Sequence, residues 1–146
     1  MKNTLNIIDM LHAQGCSCVL RKGETIRTYR RRGVIDLYEL CVNEPDFLRG
    51  ASLADKVIGK GAAAILARGN VGRVYADVMS APARALLKQA GIPAECAAEV
   101  PFIVNRRGDG RCPLETACEG LDTPEEIWPV VEDFVRKTFY TDAQKG

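Results

Sequence analysis

Apolar residues recur along the chain in two rhythms, one helical and one alternating. Leu5, Ile8 and Leu11 sit at helical spacing within residues 4–14 and Gly15 stops them, which predicts a short N-terminal helix. Cys18-Val-Leu-Arg-Lys and Thr25-Ile-Arg-Thr-Tyr-Arg then flank Gly23-Glu24, the pattern of a β-hairpin. Residues 34–42, with Val34, Leu37, Tyr38, Leu40 and Cys41, suit an amphipathic helix that ends before Asn43-Glu44-Pro45. Ser52-Leu-Ala-Asp55 reads as a capping box opening the next helix, with Arg68-Gly69-Asn70 closing it.

Val74-Tyr-Ala-Asp-Val-Met79 is short and β-branched between Gly72 and Ser80, which predicts a buried strand. Ser80-Ala-Pro-Ala starts another helix, with Pro82 in its first turn and Gly91 as its C-cap. The chain reads as extended from Cys96 to Val104, turns at residues 105–110, and forms a short helix over 113–119. The last helix starts near Thr123-Pro124-Glu125-Glu126, with Leu121, Ile127, Val130, Val131, Phe134 and Val135 supplying its apolar face and Trp128 and Phe134 as core or interface anchors. A hairpin followed by helix, strand, helix and strand implies an α/β fold, a mixed sheet with helices on both faces.

At 146 residues this is the size of one domain, so residues 1–146 are taken together. Hydrophobic residues at 47%, charged residues at 27% and a net charge of +1 fit a globular protein with no long-range field for nucleic acid or anionic membrane. No stretch reaches the roughly 18 apolar residues of a membrane span. Ala13-Gln14-Gly15-Cys16 faintly resembles a lipoprotein cleavage box, but Asn6 and Asp9 interrupt the apolar segment before it, so a cytoplasmic location is expected. The six cysteines are read as free thiols. Cys16 with Cys18, and Cys112 with Cys118, lack metal-ligand spacing. Arg30-Arg31-Arg32 is read as a solvated strand end.

Two stretches carry candidate chemistry. Gly59 and Gly61 flank Lys60 inside the expected helix, where each glycine costs about 1 kcal/mol relative to alanine, so close packing or a ligand must justify them. Lys56 and Lys60, four apart, would share a face of that helix and repel weakly, a repulsion that a bound anion relieves or that both ammonium groups, as surface lysines usually do, escape by extending into water. Asp55 would be the capping partner of Ser52. No P-loop spacing surrounds Gly59-Lys60. Cys112 follows a glycine-rich turn, lies beside Arg111 and opens the short helix, a setting that can activate a thiol as a nucleophile; the bland alternative is a packed structural thiol. The only histidine, His12, is distant in sequence and would join Cys112 only if the fold brings them together. Glu115 either neutralises Arg106 or Arg107 or, preferably, caps the turn of its own helix.

Four stretches in order, Ala54-Asp-Lys-Val-Ile-Gly-Lys-Gly-Ala-Ala-Ala64, Val74-Tyr-Ala-Asp77, Val100-Pro-Phe-Ile-Val-Asn105 and Gly108-Asp-Gly-Arg-Cys-Pro-Leu-Glu115, resemble a bacterial domain-of-unknown-function family within the cytidine-deaminase-like superfamily. The resemblance covers roughly residues 5–120 and implies a three-layer α/β/α domain with a mixed sheet. Zinc deaminases hold their metal with an H-x-E-like triplet and a later P-C-x-x-C. The corresponding stretches here, Gly59-Lys60-Gly61 and Ser80-Ala-Pro-Ala-Arg-Ala85, offer neither metal ligands nor the glutamate, so the resemblance implies a metal-free cleft, no cofactor and no zinc-dependent deamination. The leading expectation is binding of a small anion or nucleotide by Lys56, Gly59, Lys60, Gly61, Asn105 and Glu115. A thiol enzyme such as a group transferase using Cys112 is the second, and a structural or interaction module, favoured if side chains fill the cleft, is the third. Oligomeric state is left open.

Overall fold

The computed structural model describes residues 2–31, 34–104, 108, 110 and 112–139. Helix α1 (Lys2–Ala13) leads to strands β1 (Cys18–Lys22) and β2 (Thr25–Tyr29), joined by a two-residue loop in which Gly23, at φ +60°, takes the left-handed position of a hairpin turn. Helix α2 (Ile35–Asn43) and a single turn, α3 (Pro45–Leu48), follow. The remaining elements are β3 (Ser52–Ile58), α4 (Lys60–Arg68), β4 (Arg73–Ser80), α5 (Ala81–Gln89), β5 (Ala94–Val100), α6 (Pro113–Ala117) and α7 (Pro124–Phe139).

The strands lie in the order β2-β1-β3-β4-β5, with β1 antiparallel to both its neighbours and β3, β4 and β5 parallel. Right-handed crossovers put α4 and α5 on the same face of such a sheet. The main core forms there, where Leu20, Leu53, Val74 and Ala76 meet α2, α4, α5, α6 and α7. A smaller cluster of Ile7, Leu11, Cys16, Val19 and Ala54 lies under α1 on the opposite face. The expected mixed sheet with helices on both faces is therefore present.

One expectation is overturned. Residues 52–58 form a central strand, so the helix begins at Lys60, and Ser52-Leu-Ala-Asp55 caps nothing. A ladder to β1 on one side and β4 on the other outweighs the local capping motif. Lys56 and Lys60 consequently lie on different elements and share no helix face.

The parallel strands also change phase together. Leu53 faces the main core, and strict alternation would send Val57 there. Val57 is instead 46% exposed, while Ile58 and its ladder partner Met79 are wholly buried in that core. The Val57 N–H donates to Asp55 Oδ1 at 3.2 Å, a local bond where the phase shifts. The third strand follows, because Met79 pairs with Glu99 and paired residues share a face.

Other sequence expectations match closely. Ser80 Oγ accepts from Ala83 N at 3.3 Å as the N-cap of α5, and Gly91 takes φ +77° beyond its end. Thr123 and Glu126 form a reciprocal capping box, since Glu126 N donates to Thr123 Oγ1 at 3.1 Å and Thr123 N to Glu126 Oε1 at 3.2 Å. Trp128 stacks on Tyr38 with centroids 5.4 Å apart and carries Arg68 over its ring, binding α2, α4 and α7 together. Arg31 is not merely solvated, for it pairs with Asp36 and Glu39; Arg32 lies outside the described residues.

Candidate functional site

The carboxyl ends of parallel strands are where α/β sheets commonly bind ligands. Here β3 delivers Gly59 as the N-cap of α4, with Lys60 as its first residue and Gly61 in its first turn. The open backbone donors of such a helix start favour an anion. An anion is present, and the chain supplies it. Glu115, only 7% exposed, accepts the Lys60 N–H with Oε1 at 2.8 Å and the Ile103 N–H with Oε2 at 2.7 Å. Ile103 O in turn accepts from Cys112 N at 2.8 Å, so the start of α6 is stitched to residue 103, and residue 103 to α4 through Glu115. The expectation that Glu115 caps its own turn is corrected. A short helix cannot use a side chain that is turned onto a neighbouring element.

The glycines are explained by the same approach. A Cβ at Gly59 would meet Ile103 Cγ1 at 3.1 Å and Glu115 Oε1 at 3.2 Å, and one at Gly61 would meet Leu114 Cδ2 at 2.5 Å. Both positions stay bare so that α6 can lie against α4. Of the residues expected to bind an anion, the structure brings together Gly59, Lys60, Gly61 and Glu115. Lys56 is exposed on β3, its N–H bonded to Ser17 O at 3.1 Å, and Asn105 lies outside the described residues, as do Arg106, Arg107 and Arg111. Beside the filled start of α4 there remains a crevice of about 100 Å³ lined by Lys60, Pro82, Ala85, Leu86, Gln89 and Asp122.

Cys112 is half-buried at the N-cap of α6, and Cys118, at that helix's end, is fully buried with its thiol pushed up to about 11 by burial. The Cys112–His12 pairing does not form. Helix α1 packs over Val19 and Ala54, on the face away from α4 and α6, and His12 Nε2 lies 2.8 Å from Asp77 Oδ1. Tyr75 donates to the same oxygen at 2.8 Å. This His12-Asp77-Tyr75 group was legible in part, since Tyr75 and Asp77 are two apart on a strand and share a face. Among the described residues no group of three or more His, Cys, Asp or Glu is arranged to hold a metal.

A second polar group, unforeseen in the sequence, lies beneath the start of α2. Asp36, 5% exposed, accepts Arg31 Nε at 2.7 Å through Oδ1, while its Oδ2 has no partner among the described residues. Asp55 faces Cys18 across the β1–β3 ladder. Burial, with a smaller contribution from Asp36, pushes the Asp55 carboxyl up to about 7 against the bonds from Val57, Cys18 and Lys56; burial and Asp55 together push the Cys18 thiol well up. A raised carboxyl stabilises the folded state fully below the unfolded value near 4 and loses that contribution as pH rises through about 7. Unfolding by urea should therefore show stability falling by about 2 kcal/mol between pH 4.5 and 8; the full shift corresponds to about 4 kcal/mol, discounted because Asp55 keeps some solvent contact. Asp55→Asn, which retains an oxygen for Val57 N–H, should flatten this slope, and an unchanged slope would remove Asp55 as its source.

A family model described as "TM1506: Domain of unknown function (DUF1893)" matches residues 6–135. Among solved structures, the chain is similar to the crystal structure of a DUF1893 family protein (TM1506) from Thermotoga maritima, with a TM-score of 0.82 and 28% identity over 91% of this chain and 90% of that one. No curated protein matches it.

Proposed function

Because the chain belongs to the DUF1893 family, a domain of unknown function, its activity must be read from its own residues, and we propose that it is an interaction module on a metal-free, cytidine-deaminase-like scaffold. The scaffold reading is supported by the strand order β2-β1-β3-β4-β5, with a hairpin followed by parallel strands, and by the four ordered motifs. One observation carries the functional reading. The start of α4, where a ligand would meet free backbone donors, is filled by Glu115 and Leu114 of the same chain. Gly59-Lys60-Gly61 and the Ser80 cap supply no metal donors and no proton-carrying carboxylate at the positions where zinc deaminases use them.

A second reading, a small anion held by Lys60, is favoured by the adjoining crevice and by the absence of a carboxylate within ion-pair distance of Lys60 among the described residues. The thiol-enzyme reading draws on the place of Cys112 at a helix start, but the chain's one histidine is engaged with Asp77 on the other face of the sheet. A thermal-shift panel of nucleosides, nucleotides and phosphorylated sugars separates these readings, since any ligand of the native state raises the melting temperature by mass action. For an interaction module, each compound at about 1 mM should move the midpoint by less than about 1 °C. A shift of several degrees that disappears in Lys60→Ala would replace this reading with the anion site. Alkylation near neutral pH that labels Cys112 ahead of the other five thiols would replace it with the thiol enzyme.

A further inference from the structure

Strand β5 ends the sheet, and among the described residues no strand lies beyond it. Such an edge offers a row of backbone donors and acceptors to an incoming segment. Beside it, α5 presents Ala81, Arg84, Ala85 and Lys88, spaced one helical face apart, over an open groove of about 690 Å³ whose other wall includes Pro93 and Ala94. A strand edge alongside a helix face is the geometry in which main-chain pairing supplies affinity and alternate side chains supply specificity.

Charge selects the occupant. On the α5 side Arg84 is neutralised by Glu99 at 2.9 Å, leaving Lys88 as the cation there with no ion-pair partner among the described residues. Glu95, paired in the ladder with Tyr75, faces the other side together with it, exposed and without an ion pair among those residues. A second copy adding its own β5, with its Glu99 likewise neutralised by Arg84, would bring a second Glu95, and no cation of that strand, onto an edge whose own Glu95 has no ion pair among the described residues. We propose that the outer edge of β5 docks an extended segment of a partner protein in which apolar residues, turned toward Ala81 and Ala85, alternate with basic residues turned toward Glu95, an acidic group reaching Lys88. This interface shares Ala85 with the crevice beside Lys60, but Glu95 and the β5 edge take no part in that crevice, so the Glu95→Lys response is independent of how the cleft is read.

The test uses the full chain and an eight-residue peptide of alternating valine and lysine with a free C-terminal carboxylate, followed by fluorescence anisotropy and amide hydrogen exchange. Saturable binding should protect amides of residues 94–100 and leave the opposite edge, residues 25–29, unchanged. Glu95→Lys should weaken binding about tenfold or more, a change of about 1.4 kcal/mol. It should also transfer preference to a peptide with glutamate in place of lysine. Ala85→Trp, with an unchanged melting temperature, should abolish binding by filling the groove. Three outcomes overturn the proposal: no saturable binding, binding insensitive to Glu95→Lys, or a free protein of twice the monomer mass with β5 already protected, which would assign the edge to a second copy.

Discussion

Replacing Glu115 with alanine should lower stability by about 3 kcal/mol, measured as the shift in urea unfolding free energy, and reduce the melting temperature by roughly 10 °C. Removing the side chain leaves the Lys60 and Ile103 N–H groups facing protein, and each buried donor without a partner costs about 1–3 kcal/mol. The truncation also removes a carboxylate whose burial is itself unfavourable, and that gain offsets part of the loss. The donors prevail because both bonds are charge-assisted and short and because no cation is needed to hold the carboxylate in place. Glu115→Gln keeps one acceptor oxygen but points an NH₂ at the second donor, so it should fall between the parent and the alanine variant. A loss under about 0.5 kcal/mol for Glu115→Ala, the range of ordinary surface changes, would show that water reaches these donors.

Gly61→Leu should be more damaging still, at about 4 kcal/mol or outright failure to fold, although leucine is the better helix former by nearly 1 kcal/mol. The first added carbon already falls 2.5 Å from Leu114 Cδ2 and 2.8 Å from its Cγ, so α6 must retreat and take the Glu115 carboxylate with it. A double-mutant cycle identifies the cause. Gly61→Ala should destabilise the parent by about 1–2 kcal/mol, whereas in a Leu114→Ala background the same change should be neutral or stabilising by up to about 1 kcal/mol. Equal costs in the two backgrounds would mean that Leu114 is not what the glycine accommodates.

Elements whose signals are local were legible in the sequence. The hairpin follows from Gly23-Glu24 between alternating runs, α5 from Ser80 and Pro82, and α7 from Thr123 and Glu126, each of which forms the hydrogen bonds its motif requires. Residues 52–58 misled because Ser52 and Asp55 carry the spacing of a helix start while the strand's alternation breaks at the phase change, leaving no clean period of two. At the candidate site, the glycines around Lys60 correctly signalled a close approach. What approaches them was illegible, since no local pattern links Lys60 to a carboxylate 55 residues later, and the pairing exists only in the folded chain. The partly buried placement of Asp55 was lost with the strand it belongs to.

The clamp from α6 has a consequence for how the molecule is made. During synthesis, β3, α4, β4 and α5 leave the ribosome before residues 103–115 do, so the alanine-rich helix at the centre of the core emerges with its first turn uncapped. Until residues 103–115 have emerged and docked, apolar faces destined for α6 and α7 stay open to other chains. The last quarter of the sequence thus sets when the nascent domain stops being vulnerable to aggregation.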